Sequence, residues 1–556
     1  MLNRALQRPA NNTASYIARL TVCLFTLFQN AFIRFYAIRA LYTSGFAHQI
    51  LMSRAQPLLS SAIVRRARRL WRQYGIFWLG AIAVGLIAVL YARLIDWGYD
   101  EFRAVQREHV WAPLIITPAV AALAVWLTRR FFRGAEGSGI PQVIATLHSK
   151  PGEYGARLLS FRILLGKIAV SFLAILGGFT IGREGPTVQV GAALMFNLRR
   201  LYPRSNALIE RQLVLAGAAA GLSAAFNTPL AGIVFAIEEL TRSFEARASG
   251  VLITAIIIAG VIALGLNGNY TYFGTIQIGA HFPNLLALAV LLTAIITGIA
   301  GGVFGWLLLN TARWIPAPLR QLHGERPVAF AALCGFVIAV VGFVSGGTTF
   351  GSGYAEARGL LDGHEQLSVF YPFLKMISMV GSYLPGIPGG IFAPSLSIGA
   401  GFGNLLHMVF GSMQLPMLIA LAMVGYLAAV TQSPITSFVI VMEMINGHAL
   451  VISLMATALI ASRVSRFFAP PLYEALSERY IAPLPHPAPA PVPEVPEVDA
   501  PEVDAPEQVA EVTAADGFNE PSADSSADTS ARTSADTPTD TPAGTSAQGD
   551  TPVSRP

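Results

Sequence analysis

The chain has 556 residues, 53% of them apolar and only 13% charged, and its net charge is +6. Soluble domains carry about 25% charged residues, so this composition excludes an ordinary soluble fold and predicts an all-α polytopic membrane protein. The two cysteines, Cys23 and Cys334, give no indication of a disulfide framework. The basic charge is assigned to the rim of a membrane region, and no nucleic-acid partner is expected.

Residues 1–70 are predicted to form an N-terminal cytoplasmic or interfacial segment. Within it, Leu20–Ala37 is moderately apolar but is interrupted by polar side chains, and no small-residue cleavage site is obvious. The segment is therefore not interpreted as a signal peptide.

Apolar stretches that could cross the lipid bilayer follow from residue 75 onward, since a span needs about 20 residues. The clear ones are Gly75–Trp97, Pro113–Leu127, Val251–Leu266, Leu285–Leu309, Val328–Val344 and Leu415–Val430. Shorter runs such as Ile140–Leu147 and Leu230–Ile237 cannot cross alone and are typical of helices that end inside the protein. Arginine clusters at 65–72 and 129–133 flank the first two spans, so the positive-inside rule puts both clusters on the cytoplasmic side.

Three short patterns in the first half of the chain recur in the same order in the second half. They pair Gly137-Ser138-Gly139 with Gly351-Ser352-Gly353, Gly182-x-x-x-Pro186 with Gly390-x-x-x-Pro394, and Pro229 to Glu238 with Pro434 to Glu443, at offsets of 214, 208 and 205 residues. Glycine- and proline-interrupted apolar segments in corresponding places of two halves are typical of membrane proteins with internal repeats. We therefore expect two repeats, at 71–268 and 269–475, whose broken helices meet at a shared site.

The second pattern predicts the chemistry of that site. An apolar helix ends at Gly177-Gly178, and Pro186 suits the first turn of the next helix. That turn leaves backbone N–H groups unpaired at the positive end of the helix dipole, which makes an anion site without a full positive charge. The segments Gly389–Pro394 and Gly137–Pro141 repeat this feature, and Ser138 adds a hydroxyl donor. We expect these three helix starts to converge on one anion.

Glu184 lies among these donors and is itself an anion. It can occupy the site while ionised and leave it when protonated, which makes it a candidate gate and proton carrier. The alternative is a carboxylate that only complements a helix N-terminus. The functional interpretation is favoured, because ionisable residues at membrane depth are costly to bury and usually functional.

The motifs Gly137–Pro141, Gly182–Pro186 and Gly390–Pro394, together with Pro229–Glu239 and Ser433–Met444, resemble signature sequences of the CLC chloride channel and transporter family. The resemblance extends over roughly residues 70–475 and matches bacterial members without CBS domains. It implies two inverted halves with many tilted and broken helices. It also implies a homodimer in the inner membrane with cytoplasmic termini, one pathway for chloride in each subunit, and no cofactor.

The resemblance implies roles for individual residues as well. The anion-binding positions that it implies are Ser138, Gly139, Ile140, Ile391 and Phe392, through the serine hydroxyl and backbone amides. Glu184 corresponds to the external gating glutamate, and Glu239, 55 residues further on, corresponds to the internal proton-transfer glutamate. A serine at 138 is the chloride-preferring form, and an acid at 239 favours proton exchange.

Two positions leave alternatives open. Glu238 and Glu239 are adjacent, and the repetition of Glu238 at Glu443 suggests that Glu238 is structural; Arg242 could pair with either acid at a helix end. In many relatives a tyrosine hydroxyl meets the anion from the start of the last helix, and we assign that place here to His448. A histidine there predicts a wider inner opening and leakier coupling, unless it only caps a helix junction.

Proton-coupled chloride exchange is the expected function, with chloride and protons as the transported ions. A passive chloride channel of the same fold, gated by voltage or pH, is the alternative, and His448 supports it. An intramembrane enzyme is not expected, because the apolar segments contain no recognisable nucleophile–base or metal motif.

The C-terminal end, residues 476–556, is predicted to be a disordered cytoplasmic tail. Residues 485–556 contain 14 acidic and 2 basic side chains and are dominated by small residues and proline. Such a composition cannot bury a core. No soluble regulatory domain is expected after the membrane region.

Overall fold

The computed structural model of the chain describes residues 74–149, 154–202, 207–241, 250–268, 271–274, 285–363, 367–411 and 413–481. The chain divides into two units, Met1–Leu484 and Pro485–Pro556, and every described residue lies in the first. The predicted N-terminal segment, the arginine cluster at 65–72 and the tail beyond Ile481 lie outside the described residues.

The regular elements of the described residues are helices, numbered here in chain order. They are α1 (Ile76–Glu108), α2 (Pro113–Phe131), α3 (Ile140–His148), α4 (Gly155–Leu158), α5 (Phe161–Leu176), α6 (Glu184–Leu198), α7 (Ala207–Phe226), α8 (Pro229–Phe235), α9 (Gly250–Asn267), α10 (Leu286–Leu309), α11 (Thr311–Trp314), α12 (Ala317–Glu325), α13 (Pro327–Val344), α14 (Tyr354–Leu361), α15 (Tyr371–Tyr383), α16 (Phe392–Val409), α17 (Leu415–Thr431), α18 (Pro434–Ile445), α19 (Val451–Ser465) and α20 (Leu472–Ile481). A π-helical turn, Ala236–Thr241, continues α8, and a 3-10 turn, His448–Leu450, precedes α19. The predicted helical fold class is confirmed.

Eight helical segments among the described residues are long and apolar enough to cross a membrane. They include α1, α2, α9, α10 and α13, so five of the six predicted spans are confirmed. The sixth, predicted at Leu415–Val430, is the 17-residue helix α17. It is buried on almost every side between α10, α16 and α19, so it belongs to the protein interior.

Short helices occur where the sequence predicts broken ones. α3 has 9 residues and α8 has 7, and each carries a proline in its first two positions. Proline is favoured there because its missing N–H would have no helical partner anyway. Gly139, immediately before α3, has a φ of +101°, a backbone conformation that side chains with a Cβ rarely adopt. The turn at Gly139 therefore sets where α3 begins.

The two repeats build the same closely packed helix pair. α6 meets α7 where Gly191 and Gly217 lie backbone to backbone, and a Cβ on either would collide with the other's carbonyl oxygen. In the second half, Gly399 of α16 lies against the backbone of Met423 in α17. The small-residue run at 216–221 therefore permits close helix approach.

The predicted boundary between residues 475 and 476 is wrong. α20 runs across it, from Leu472 to Ile481, and packs against α3. Its buried residues, including Leu472 and Leu476, follow a helical spacing. The charged residues of α20 resemble those of the acidic tail that follows, so the composition of the sequence did not indicate this helix. The folded region continues at least to Ile481.

Candidate anion-binding site

Three helix starts meet where the two repeats pair. The N–H of Gly182 donates to the carbonyl oxygen of Gly390, and the N–H of Gly390 donates to that of Gly182, each at 2.7 Å. The N–H of Gly389 donates to the carbonyl oxygen of Gly137 at 3.0 Å. Because Gly182 and Gly390 are equivalent residues of the two repeats, their reciprocal bonds are those expected at a local two-fold axis. The predicted convergence of the helix starts is therefore seen in the structure.

Equivalent lysines anchor the turns that precede α3 and α14. The Lys167 ammonium donates to the carbonyl oxygens of Ala135 at 2.9 Å and Gly137 at 2.7 Å. The Lys375 ammonium donates to the carbonyl oxygens of residues 349–351 at 3.0, 3.0 and 3.1 Å. Both lysines are fully buried. Their role in the structure is to hold the backbone of these turns.

The Ser138 hydroxyl is buried and completes no hydrogen bond with any described residue. It lies against Gly185 in the first turn of α6, where a Cβ would collide with the serine oxygen. Gly139 and Ile140, the next residues at the start of α3, are buried as well. Buried polar groups almost always have a partner. An unpaired hydroxyl between two helix starts is therefore a donor available to an anion.

Tyr473 is the site residue that the sequence interpretation missed. It is the second residue of α20, is fully buried, and stacks on the ring of Phe392 with a centroid separation of 5.9 Å. Its hydroxyl interacts with that of Ser138, but neither oxygen completes a hydrogen bond within the described residues. The two hydroxyls therefore lie next to each other in the protein interior. The missed signal was Pro470-Pro471-Leu472-Tyr473, a proline pair that places a tyrosine at the start of the last described helix.

The assignment of the tyrosine position to His448 is wrong. His448 is exposed, begins the 3-10 turn before α19, and has Glu443 of α18 as a charged neighbour. The assignment fails because His448 precedes α19, which is not the last helix. The helix that carries Tyr473, α20, follows α19. With a tyrosine at the start of α20, the prediction of a wider inner opening loses its basis.

Glu184 is the first residue of α6 and is fully buried. Its carboxylate turns back over Gly182 towards Ala393 and Pro394 in the first turn of α16, and it interacts with the backbone N–H of Ala393. The Tyr272 hydroxyl donates to Oε1 at 3.5 Å. The side chain therefore occupies the gap between the helix starts of the two repeats.

Two backbone N–H groups at the start of α16 have no acceptor among the described residues. Ile391 is the N-cap residue and Phe392 the first helical residue, and both are buried. Among the described residues, neither backbone N–H makes a hydrogen bond. Unpaired N–H groups at the positive end of a helix favour a negative charge. Glu184 supplies that charge at this helix start.

The two adjacent acids after α8 have different surroundings. Glu238 accepts the backbone N–H groups of Ile435 at 3.0 Å and Thr436 at 2.5 Å, at the start of α18. Its repeat equivalent Glu443 caps the start of α8 in the same way, through N–H groups at 3.2 and 2.8 Å. The structural role predicted for Glu238 is therefore confirmed.

Glu239 lies apart from these caps. It is 1% exposed, and the Ser433 hydroxyl donates to its carboxylate. Tyr473 lies within electrostatic reach of both Glu184 and Glu239. Arg242, the residue that could have paired with either acid, lies outside the described residues. The structure thus brings two buried carboxylates and two free hydroxyls into one polar region.

A helical membrane protein with two repeats, whose broken helices begin at a shared buried polar site, has the architecture of an ion transport protein. The chain belongs to the voltage gated chloride channel family, whose model matches residues 120–466. It is a multi-pass membrane protein.

Relatives and solved structures extend this result. The chain is 28% identical over 466 residues to the H(+)/Cl(-) exchange transporter ClcA of Klebsiella pneumoniae subsp. pneumoniae, covering 78% of this chain and 94% of that protein. It is 29% identical over 422 residues to ClcA of Salmonella typhimurium, covering 72% and 86%.

Solved structures share the fold. A slow cyanobacterial Cl-/H+ antiporter has a TM-score of 0.64 at 24% identity, covering 74% of this chain and 98% of that chain. A CLC-type fluoride/proton antiporter has a TM-score of 0.62 at 18% identity, covering 72% and 97%. The predicted fold is confirmed.

Proposed function

We propose that the protein exchanges chloride for protons across the membrane. The observation that carries this proposal is the position of the Glu184 carboxylate, which lies at the start of α16 and within electrostatic reach of Tyr473, whose hydroxyl interacts with that of Ser138. An anion-binding space closed by a titratable anion couples the two ions, because both compete for one set of donors. Related proteins named exchange transporters support the same function.

The chloride step uses neutral donors. When Glu184 is ionised, its carboxylate occupies the N–H groups at the start of α16 and blocks a second anion by repulsion. When Glu184 binds a proton, it loses its charge and its preference for the helix start, and chloride takes the vacated donors. Donors that carry only partial charge hold chloride without trapping it.

The inner barrier consists of the Ser138 and Tyr473 hydroxyls. Stacking on Phe392 orients the Tyr473 ring, and Lys167 holds the turn that presents Ser138. Both hydroxyls can donate to a chloride ion that passes between them. They do not distinguish sharply among chloride, bromide and nitrate, so we expect some transport of each.

The proton needs a second acceptor on the other side of this barrier. Glu239 fits that role because it is buried, bonded to Ser433, and within electrostatic reach of Tyr473. A passive channel of the same fold was favoured by His448 alone, and His448 does not reach the site. Exchange is therefore the function that the site supports best.

The proposal also covers the oligomeric state of the protein, its location and its orientation in the membrane. We propose an inner-membrane homodimer with one pathway in each subunit and both termini in the cytoplasm, without a cofactor and without enzymatic activity. The positive-inside rule supports this orientation, because Arg129 and Arg130 lie in the last turn of α2.

The decisive experiment measures chloride-driven proton movement in liposomes that contain the purified protein. An outward chloride gradient should drive protons uphill in the wild type, and Glu184→Gln and Glu239→Gln should stop the protons while chloride still moves. Glu238→Gln is the matched control, because Glu238 is next to Glu239 in the sequence but caps a helix. Proton coupling should persist in this variant. Chloride movement without any proton movement in the wild type would identify a channel.

A further inference from the structure

Two cavities adjoin at the segment that links α10 to α13. The first has a volume of about 440 Å³, and its wall includes Arg320, His323 and Arg479. The second has a volume of about 230 Å³ and is lined by apolar side chains around Cys334. They share three lining residues, Ile315, Phe330 and Leu384. A ligand with a polar and an apolar part could therefore occupy both.

The first cavity, called here the polar cavity, has arginines with spare donors. One guanidinium N–H of Arg320 donates to the carbonyl oxygen of Ala312 at 2.7 Å, and one of Arg479 donates to that of Leu309 at 3.1 Å. Within the described residues, neither arginine forms an ion pair. Each guanidinium carries five N–H groups, so most of them remain for an anion. Glu136, the one acid among the described residues of the wall, already accepts a backbone N–H at 2.7 Å.

His323 adds a ring nitrogen but little charge to this wall. It packs edge-on against Phe330 at 4.7 Å. Partial burial and the nearby Arg129 lower the pKa of His323, which favours the neutral imidazole. The two arginines therefore provide the positive charge of the polar cavity.

The second cavity, called here the apolar cavity, opens towards the membrane. Leu333 and Val337 of α13 and Ile377 of α15 are 37%, 42% and 47% exposed, and all three line it. α13 is a candidate membrane span, so the exposed side chains of Leu333 and Val337 are accessible to lipid. The Trp314 indole, which donates to the carbonyl oxygen of Leu307 at 2.8 Å, lies on the same wall. Tryptophan is enriched at the depth where hydrocarbon meets headgroups.

The polar cavity lies on the side that the positive-inside rule assigns to the cytoplasm. His323 interacts with Arg129, and Arg129 belongs to the basic end of α2. Anionic lipids give the cytoplasmic leaflet its negative surface potential. The charge of the polar cavity therefore matches the lipids on its own side of the membrane.

We propose that the two cavities together bind one anionic phospholipid, with an acyl chain in the apolar cavity and the phosphate between Arg320 and Arg479. The apolar cavity gives access from the bilayer, and the arginine donors recognise the phosphate.

This site adjoins the candidate anion-binding site. Gly137, next to Ser138, and Tyr383 line the polar cavity. A bound phosphate places negative charge beside the access route to Ser138. If the proposed chloride exchange is correct, the lipid slows chloride uptake from the cytoplasmic side.

The test uses Cys334 as a reporter of occupancy. In a Cys23→Ser variant, Cys334 is the single thiol of the chain. The rate at which N-ethylmaleimide labels it would be measured in nanodiscs of phosphatidylcholine, with and without phosphatidylglycerol. We expect phosphatidylglycerol to slow labelling. Glycerol 3-phosphate added to phosphatidylcholine nanodiscs should not slow it, because that anion has no acyl chain.

Charge and cavity variants sharpen this test. Arg320→Gln and Arg479→Gln should each weaken the protection about fivefold, since a basic residue near an anionic surface contributes about 1 kcal/mol. Arg313→Gln, an exposed arginine outside both cavities, is the matched control and should retain full protection. Val337→Trp should slow labelling without any anionic lipid, whereas Val340→Trp, on the same helix but outside the cavity wall, should not.

Three results would overturn the proposal: labelling that ignores phosphatidylglycerol, protection that survives both arginine substitutions, or equal protection by glycerol 3-phosphate. Labelling does not depend on transport. Protection in a Glu184→Gln background should therefore equal that in the parent, even if the proposed exchange function fails. The effect on chloride uptake is measured separately, in liposomes with and without phosphatidylglycerol.

Discussion

The two repeats share their scaffold residues. Lys167 and Lys375 are equivalent, and each binds carbonyl oxygens of the turn before a helix. Glu238 and Glu443 are equivalent, and each caps a helix start in the other half. Residues that hold backbone in place are therefore the same in both halves.

The side chains at the site differ between the repeats. The offset that aligns Gly182 with Gly390 also aligns Glu184 with Phe392, and the offset that aligns Glu238 with Glu443 aligns Glu239 with Met444. Both candidate proton-handling acids therefore have apolar equivalents in the second repeat. The second half has apolar residues at both places, which is consistent with the proposed role of these acids in transport.

The equivalent serines show the same division. Ser138 is 1% exposed and its hydroxyl completes no hydrogen bond among described residues. Ser352 is half-buried and accepts the N–H of Tyr354 at 3.4 Å. The Ser138 hydroxyl is thus available to the proposed anion, whereas the Ser352 hydroxyl bonds within its own helix start.

The strongest test of this comparison replaces Glu239 by its second-repeat equivalent. Glu239→Met should reduce chloride-driven proton pumping in liposomes to the leak rate of protein-free liposomes, because the site loses an acid and gains an apolar side chain. Chloride efflux should continue. Met444→Leu is the matched control and should pump as the wild type does. Proton pumping that survives Glu239→Met would remove Glu239 from the proton route.

Local sequence patterns were enough to predict the helix starts and the repeats. Glycines, prolines and their spacing determine where backbone N–H groups are left unpaired, so Ser138, Glu184 and the start of α16 could be placed before any tertiary contact was known. The structural role of Glu238 was predictable because its equivalent recurs at Glu443.

Long-range contacts could not be predicted in this way. The carbonyl partners of Lys167 lie 30 to 32 residues away, and no local pattern encodes them. Tyr473 was missed because the charged helix that carries it resembles the tail in composition. The start of the last helix was therefore assigned to His448, which precedes α19, although α20 follows it.

Tyr473 and His448 give the next prediction. Tyr473→Phe keeps the stacking on Phe392 but removes the hydroxyl. Since a hydrogen bond to a charged group contributes about 1.5–3 kcal/mol, the dissociation constant for chloride should rise about tenfold or more in calorimetric titration of the purified protein. His448→Ala should leave it unchanged. Weaker binding in His448→Ala with normal binding in Tyr473→Phe would restore the histidine assignment.

The two serines allow a smaller and more direct comparison. Ser138→Ala should weaken chloride binding about fivefold, a smaller effect than that of Tyr473→Phe, because an aliphatic hydroxyl is a weaker donor and the α16 amides remain. Ser352→Ala should not change chloride binding, since its hydroxyl serves Tyr354. The same titration measures chloride binding in both variants. Equal losses of chloride affinity would show that the two serines contribute equally, despite their different burial and hydrogen bonding.

The smallest expected effect concerns the reciprocal caps. Glu238→Gln and Glu443→Gln each keep an oxygen for one N–H but lose the charge at a helix N-terminus, so each should lower the free energy of unfolding by about 1 kcal/mol. In detergent, the thermal midpoint should fall by about 2 °C in each variant. Glu478→Gln, an exposed acid of α20, should not shift it. Because the two caps are equivalent under the repeat, the two shifts should be equal, and a clear difference between them would mean that one of these acids does more than hold a helix.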